Sequence, residues 1–589
     1  MKTRAFALLV GAAVLTALIA VPIAPAGASG GDTLVSVGSP ASPFAQNKQN
    51  EPAVAIDANH PNVVAAGAND EIDFEACNAG LDTTCPFTSG VGTSGVYFSL
   101  NSGATWVQPT YTGYSARNCL GAPGGDDTSA PCVPENEGPL GTLPWYYENG
   151  LVSDGDPALA FGPAPGPDGF DWANGSRLYY ANLTHGFPGN SGLKGYEGLA
   201  VSRTDDVAAA ARGDKDAWMS PVIASKQASA TFSDKEQIWA DNAESSPFFG
   251  NTYICFARFQ GGGAAPMTVL TSRDGGDTWA SKQVSPAHNV SPKKWGQSGC
   301  TVRTDSSGTV YVFYDQFQNP SVFPNPVGTH FVVRSFDGGF SWTRPVAIGS
   351  AHDPCSLLQF DATSYRCVMD GIGGARDDLA GSPNVSIANG APTGEDATDE
   401  LVLAYVDAAT VNHEHVMVKT SWDGVHWGDP VQVEGNGDRG YYTAPALSPD
   451  GTDLYLVYNA FTTPLRNDTT SPRGLVGVVM HAEVAGDGSL SYWTEIHRGA
   501  VGDPRASSQN NIAIEFLGDY VYAAATNDYG VAVWNDVRNA ADCPAVDTWR
   551  AALQVDPSTY PAGRPAIEQD CPAHFGNTDI YGGSYPDTT

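Results

Sequence analysis

The sequence predicts an all-β protein made of repeated four-stranded antiparallel units, seven by the favoured count and six as the alternative. Two observations carry this. Four stretches spell nearly the same turn: SLNSGATW ending at Trp106, SRDGGDTW at Trp279, SFDGGFSW at Trp342 and the shortened SWDGVHW at Trp427. Repetition of this kind signals a repeat architecture, where one copy would not. In addition, seven short apolar segments follow a polar or small start: EPAVAI from Glu51, DPALAF from Asp156, KEQIWAD from Lys235, SGCTVRTD from Ser298, PNVSIAN from Pro383, APALSPD from Ala444 and GDYVYAAA from Gly518.

Each start has a second strand behind it: NVVAAGAND, RLYYANLTH, TYICFARF, TVYVFYDQF, LVLAYVDA, LYLVYNAF and VAVWNDVRN. These read as buried strands bounded by turn residues. A third strand precedes each turn copy, as GVYFS, MTVLTS, HFVVRS and HVMVKTS, so the turns fall between strands three and four. SRTDDV at Ser202 reads as a degenerate copy in the second unit.

The turn itself is structural chemistry. Asp274 and Asp337 accept from backbone N–H groups of their own turn, Gly276 and Gly339 permit positive φ, and the closing Trp packs between sheets. The pattern S-x-D-x-G-x-T-W resembles the Asp-box of bacterial sialidases. The segments NEPAVAIDANHPNVVAAGAND, SDKEQIWADN and EFLGDYVYAAATNDYGVAVWNDVRN are similar to secreted sialidase-like, BNR-repeat proteins. The resemblance implies a β-propeller of four-stranded antiparallel blades, a single domain over residues 29–589 around a central channel, with the box remote from any active site. Sialidases have six blades, from which a count of seven departs. The resemblance also implies a substrate carboxylate held by three arginines, a tyrosine nucleophile activated by a glutamate, and an aspartic acid as proton donor. The F/Y-R-I-P segment that supplies the first arginine is absent, no arginine occurs between residues 30 and 70, and Arg344 follows a turn copy on the wrong face. No catalytic residue is therefore carried over from that family.

Residues 1–28 read as a secretory signal: Lys2 and Arg4, an apolar run, then Ala26-Gly27-Ala28 as a cleavage site. Without Lys2 and Arg4, 28 basic residues face 64 acidic ones, a net charge of −36. That excludes nucleic acid or an anionic membrane surface as the expected partner and suits an extracellular setting; the expected protein is a monomer, and the resemblance implies extracellular glycan as its partner. Ten cysteines in an exported chain read as disulfides. Proximity pairs Cys77 with Cys85, Cys119 with Cys132, Cys255 with Cys300, Cys355 with Cys367 and Cys543 with Cys571. Long loops at 107–150 and 351–381 either shape a binding site or decorate the scaffold.

In an up-and-down blade, the start of strand one and the end of strand two share a face, opposite the box turns. That filter places Glu51, Asp70, Glu71, Asp156, His185, Asp234, Glu236, Arg258, Asp315, Arg376, Asp407, Arg439, Tyr441, Asp519, Tyr520, Asp536 and Arg538 at the channel mouth. Asp519, Tyr520, Asp536 and Arg538 are the catalytic candidates, with Tyr520 as nucleophile or substrate contact, Arg538 as anion clamp and an Asp as acid. The alternative for Asp536 and Arg538 is a structural salt bridge closing the ring. Glu51, Asp156, Glu236, Arg258 and Arg439 are the substrate-binding candidates. The three carboxylates also suit an acid/base pair, a cation such as Ca²⁺, or simple caps on blade starts; no other cofactor is implied. His413 and His415 share a strand face, which suits a metal less well than solvent. The GGG at 261–263 is followed by no helix pattern, and GQSGC at Ser298 fails the nucleophile-elbow pattern. The function expected is a secreted, sialidase-like glycoside hydrolase acting on extracellular glycan. The alternative is a non-catalytic propeller that binds glycan or protein through the same face.

Overall fold

The computed structural model describes residues 30–587 except 78–84, 86–87, 120–131, 226–227, 261–264, 288–295, 318–325, 356–357, 362–363, 373–374, 377–378, 436, 509–511 and 513–516. The signal segment and the GGG at 261–263 lie outside the described residues. Seven antiparallel sheets form a β-propeller, and every one of the seven segments read from sequence as a start lies in an innermost strand or leads into one; Lys235, Ser298 and Ala444 fall inside strands that begin earlier. Blade 1 pairs Gln49–Ile56, Val64–Asp70 and Ser94–Ser99 in order. Val107 supplies only a bridge to Phe98 as its fourth strand.

Blade 2 pairs Ala158–Pro163, Ser176–Gly186, Gly198–Thr204 and Trp218–Ile223, with Leu151–Ser153 added beside the end of its second strand. Blades 3 to 6 are regular meanders whose inner strands are Thr231–Ala240, Gly296–Thr304, Asn384–Ile387 and Arg439–Leu447. In blade 7, Tyr522–Ala525, Tyr529–Asp536 and Asp579–Pro586 are completed by Asp32–Leu34 from the beginning of the chain. Thr33 pairs with Gly582. This closes the ring non-covalently, and the inner strands of blades 7 and 1 are in contact like those of the other neighbours.

The core lies between successive blades. Leu178 and Tyr180 of blade 2 belong to one apolar cluster with Val54, Val64 and Phe98 of blade 1 and Val531 and Val533 of blade 7. The second strands read as continuous apolar runs because both of their faces are covered by neighbouring blades. All five cysteine pairs expected from proximity are disulfides. Cys255–Cys300 joins the second strand of blade 3 to the inner strand of blade 4. No helix among the described residues is long and apolar enough to cross a membrane.

The turn copies share one hydrogen-bond pattern, except that Trp106 Nε1 in the first has no partner among the described residues. In the second, Gly276 N–H donates to Ser272 Oγ at 2.8 Å, Thr278 N–H to Asp274 Oδ1 at 2.9 Å, and Trp279 Nε1 to Gly276 O at 3.1 Å. The third repeats these contacts through Ser335, Asp337 and Trp342, and the fourth through Ser421, Asp423 and Trp427. Asn101 substitutes for Asp in the first, accepting from Thr105 N–H at 3.0 Å. Hydrogen bonds from Ser341 hold the Asp337 carboxyl down at about 2. The degenerate copy at Ser202 is a different structure. Asp206 accepts from Ala209 N–H and caps the helix Val207–Ala211, so its carboxylate starts a helix instead of closing a turn.

Strand direction fixes the two faces. The inner strands begin, and the described parts of the loops at 107–150 and 351–381 sit, at one face. The inner strands end, and the four turn copies lie, at the other.

Candidate active site at the channel mouth

Blade starts reach the axis through a local backbone feature. Four of the inner strands carry a register shift near their beginnings, between Asn50 and Ala53, Asp234 and Gln237, Ser298 and Thr301, and Tyr441 and Thr443. Such bulges bend the strand and re-aim side chains. Positive φ accompanies the starts: Glu51 (55°), Asp156 (51°), Lys235 (57°), Gly299 (58°), Tyr442 (46°) and Gly518 (100°). Non-glycine residues in this region cost about 1–3 kcal/mol each and cluster at functional sites. Gly518 is glycine because a Cβ there would come within 2.7 Å of Glu51 Cγ.

Blades 1, 2, 3 and 7 bring their charged starts together. Lys235 Nζ lies 2.6 Å from Asp519 Oδ2, 3.1 Å from Asp156 Oδ2, 3.7 Å from Glu51 Oε1 and 4.0 Å from Asp234 Oδ1. Arg376, from the 351–381 loop, adds a contact of 3.5 Å to Asp519 Oδ2. Asn69 ties the set together, donating from Nδ2 to Glu51 Oε2 at 2.6 Å and accepting from Asp156 N–H at 2.8 Å. Asp519 N–H donates to Glu51 Oε1 at 2.9 Å. The Lys235 ammonium therefore sits among Glu51, Asp156 and Asp519, at the point a cation would take.

Burial and mutual repulsion split these carboxyl groups into two protonation classes. Burial, then the Asp156 charge, drives Glu51 well above the usual carboxylate range, and the same two causes act on Glu236. Neither oxygen of Glu236 has a hydrogen-bond partner, which suits a neutral carboxylic acid in a buried position. Asp156 is the opposite case: despite burial, Lys235 and a hydrogen bond from Glu51 hold it below its ordinary value. At the rim, burial and the neighbouring Asp154, Asp234 and Asp156 push the half-buried Glu197 up to about 9. Burial raises Asp234 to about 7, against the pull of Lys235. His185 Nδ1 lies 2.8 Å from Asp154 Oδ2, and that contact outweighs burial and raises the imidazole.

The expected residues thus separate. Glu51, Asp156 and Asp519 meet at Lys235, and Glu236 and Tyr520 stand within electrostatic reach of Asp156. Burial, then Asp156, Glu51 and Glu236, push the Tyr520 hydroxyl far up, so it is held as a phenol that donates. Asp536 and Arg538 form the structural bridge: Arg538 Nη2 contacts Asp536 Oδ2 and Asp32 Oδ2, each at 2.7 Å, and its guanidinium stacks on Tyr581 at 3.9 Å. Arg439 is buried against Asp370 and Glu414, with Nε donating to Thr463 O at 2.9 Å. Arg258 makes no ion pair among the described residues. Asp70 accepts from Tyr97, Gln49 and Gln108 within blade 1. His415 pairs with Glu434 at 2.6 Å, and the His413 and His415 rings are 6.5 Å apart.

Sequence reasoning missed Lys235 and Glu197 as site residues. Lys235 was legible as the basic residue at a position where other units have Glu51, Asp156, Gly299, Tyr442 and Gly518. Glu197 directly precedes a third strand, on the same face as the blade starts. Elsewhere, Asp453, His481 and Asp587 place one ligand-type atom each within 4.8 Å of one another, the only such group of three among the described residues.

No protein-family model matches this chain, and no curated protein matches it. Among solved structures it is similar to a Hadza microbial sialidase, with 14% identity and a TM-score of 0.37 over 70% of this chain and 63% of that sialidase's length. A Dyadobacter fermentans protein of unknown function gives 12% identity and a TM-score of 0.38 over 73% and 93% of the two chains. The Trypanosoma rangeli sialidase gives 12% and 0.35 over 84% and 69%. Identities and TM-scores this low transfer neither a reaction nor a substrate.

Proposed function

We propose that this protein is a secreted, sialidase-like glycoside hydrolase that works on extracellular glycan at the charged end of its channel. Glu197 is the general acid and Asp234 the general base. The observation that carries this reading is the convergence of carboxyl groups around Lys235 at one end of the channel, where burial and neighbouring charges raise Glu197 to about 9 and Asp234 to about 7. Glycoside hydrolysis requires one carboxyl group that keeps its proton and another that loses it. Tyr520 and Glu236 serve as donors to sugar hydroxyls. Arg376 is the one arginine in ion-pair contact with the cluster among the described residues. Because a sialic acid carboxylate calls for several converging arginines, the reading favours a substrate without that group.

The second reading, a glycan- or protein-binding propeller without turnover, is favoured by Lys235, which neutralises the buried carboxylates from within. Release of 4-methylumbelliferone from a panel of neutral, acidic and sialic glycosides decides between them. Turnover that Glu197→Gln lowers by at least about a hundredfold supports the hydrolase. Turnover unaffected by that substitution removes the assigned acid, and silence across the panel transfers the site to the binding reading.

A further inference from the structure

The other end of the channel holds a cavity of about 260 Å³, lined by the inner strands of all seven blades and the loops that follow them. Its walls mix apolar side chains, Leu159, Phe161, Ile387 and Leu447 with Trp239 and Tyr522, with uncharged polar ones such as Gln237, Asn242 and Asn389. Arg303 lines it as its single basic residue. Asp528, in the exposed turn at the rim, is its single acidic one.

Arg303 stands apart from the arginines that this acidic chain pairs with carboxylates. Arg177, Arg439, Arg473 and Arg538 each contact a carboxylate, as expected where 64 acidic residues outnumber 30 basic ones. Arg303 has no ion pair among the described residues. Of the five N–H donors of a guanidinium, one goes to Val302 O at 2.7 Å. The plane lies over the Trp239 ring at 4.8 Å, and Trp239 Nε1 is itself fixed by Thr304 Oγ1 at 2.9 Å. The half-buried guanidinium remains charged, so a fixed cation with spare donors faces a partly open space walled by apolar, aromatic and uncharged polar side chains. Uncompensated charge in such surroundings is costly unless an anion joins it.

We propose that this cavity is a binding site for a small organic monocarboxylate with an apolar or aromatic body, paired through its carboxylate to Arg303. The carboxylate takes the planar fork of the guanidinium, and the body packs among Trp239, Tyr522 and the aliphatic wall. The site is at the opposite end of the channel from Lys235 and does not depend on glycan turnover.

The test is calorimetric titration of the purified protein with 2-naphthoate and with its neutral counterpart 2-naphthamide. The native protein is expected to bind the carboxylate about tenfold to a hundredfold more tightly, the factor a charge-assisted hydrogen bond supplies. Arg303→Gln is expected to abolish this preference with an unchanged circular dichroism spectrum. Asp528→Asn, in an exposed turn that tolerates substitution, is expected to tighten 2-naphthoate alone. Equal affinity for the two probes, a preference that survives in Arg303→Gln, or no binding of 2-naphthoate up to about 10 mM overturns the proposal.

Discussion

The Lys235 ammonium lies 2.6 Å from the Asp519 carboxylate and so links blade 3 to blade 7 across the channel axis. Asp156 and Glu51 add blades 2 and 1 to the same charge. One lysine thereby holds four blade starts whose carboxylates would otherwise repel one another.

Replacing Lys235 with Met keeps the length of the side chain and removes its charge. The buried carboxylates are then uncompensated, which costs about 3–5 kcal/mol for a broken buried pair. The midpoint of urea unfolding is expected to fall accordingly. A variant as stable as the native protein would show that the carboxyls simply take up protons when the lysine is gone.

Glycosidase turnover is expected to follow a bell-shaped pH profile. Asp234 must lose its proton, which happens as pH rises through about 7, and Glu197 must keep its own, which fails as pH rises through about 9. Maximal kcat/KM is therefore expected near pH 8, and Asp234→Asn is expected to lower turnover by about a hundredfold or more and to remove the acidic limb from what remains. An optimum near pH 5 would contradict the assignment of both groups.

Buried Asp241 gives a pH-dependent stability of definite sign. Burial pushes its carboxyl up to about 7, so the folded state holds this proton more tightly than the unfolded chain does. The stabilisation is complete below the unfolded value near 4 and is lost as pH rises through about 7. Measured against Asp241→Asn, which does not titrate, the native protein is expected to lose about 2–3 kcal/mol between pH 5 and pH 8. A pH-independent difference in melting temperature between the two proteins would exclude the shift.

The Cys255–Cys300 disulfide closes a segment with a sequence separation of 45. Chain entropy assigns about 4 kcal/mol to a loop of that length. The double replacement by Ala is expected to lower the melting temperature more than removal of Cys355–Cys367, whose separation is 12. Calorimetry of the two variants compares them directly.

Asp32 accepts from Arg538 Nη2 at 2.7 Å and sits on the strand that completes blade 7. Asp32→Asn weakens a charge-assisted contact worth about 1.5–3 kcal/mol and is expected to lower the unfolding midpoint while leaving kcat of any glycosidase activity unchanged. A fall in kcat without a fall in stability would place the Arg538 network in catalysis.

The blades were legible because each is a local unit. Alternation of apolar and turn residues over eight to ten positions marks a strand, and Ser272, Asp274, Gly276 and Trp279 satisfy one another within a single turn. Disulfide pairing followed from proximity along the chain for the same reason. The second-blade turn was misread because Asp206 accepts equally well from a helix N-terminus, and SRTDDV does not say which N–H will meet it. Face assignment by strand direction brought Glu51, Asp156 and Asp519 to one place, but it also brought Asp536 and Arg538. The two-residue periodicity that places a side chain on a strand does not say which neighbouring blade that side chain will meet.

By itself the sequence determined the repeat, the strand order, the sign of the net charge and the population of acids at the channel mouth, since each depends on residues close together in the chain. The tertiary structure decided which acids keep their protons, which arginines are paired and where Lys235 lies. Those properties depend on burial and on distances between residues of different blades, up to 468 positions apart for Glu51 and Asp519, set only when the first and last strands join and the ring closes.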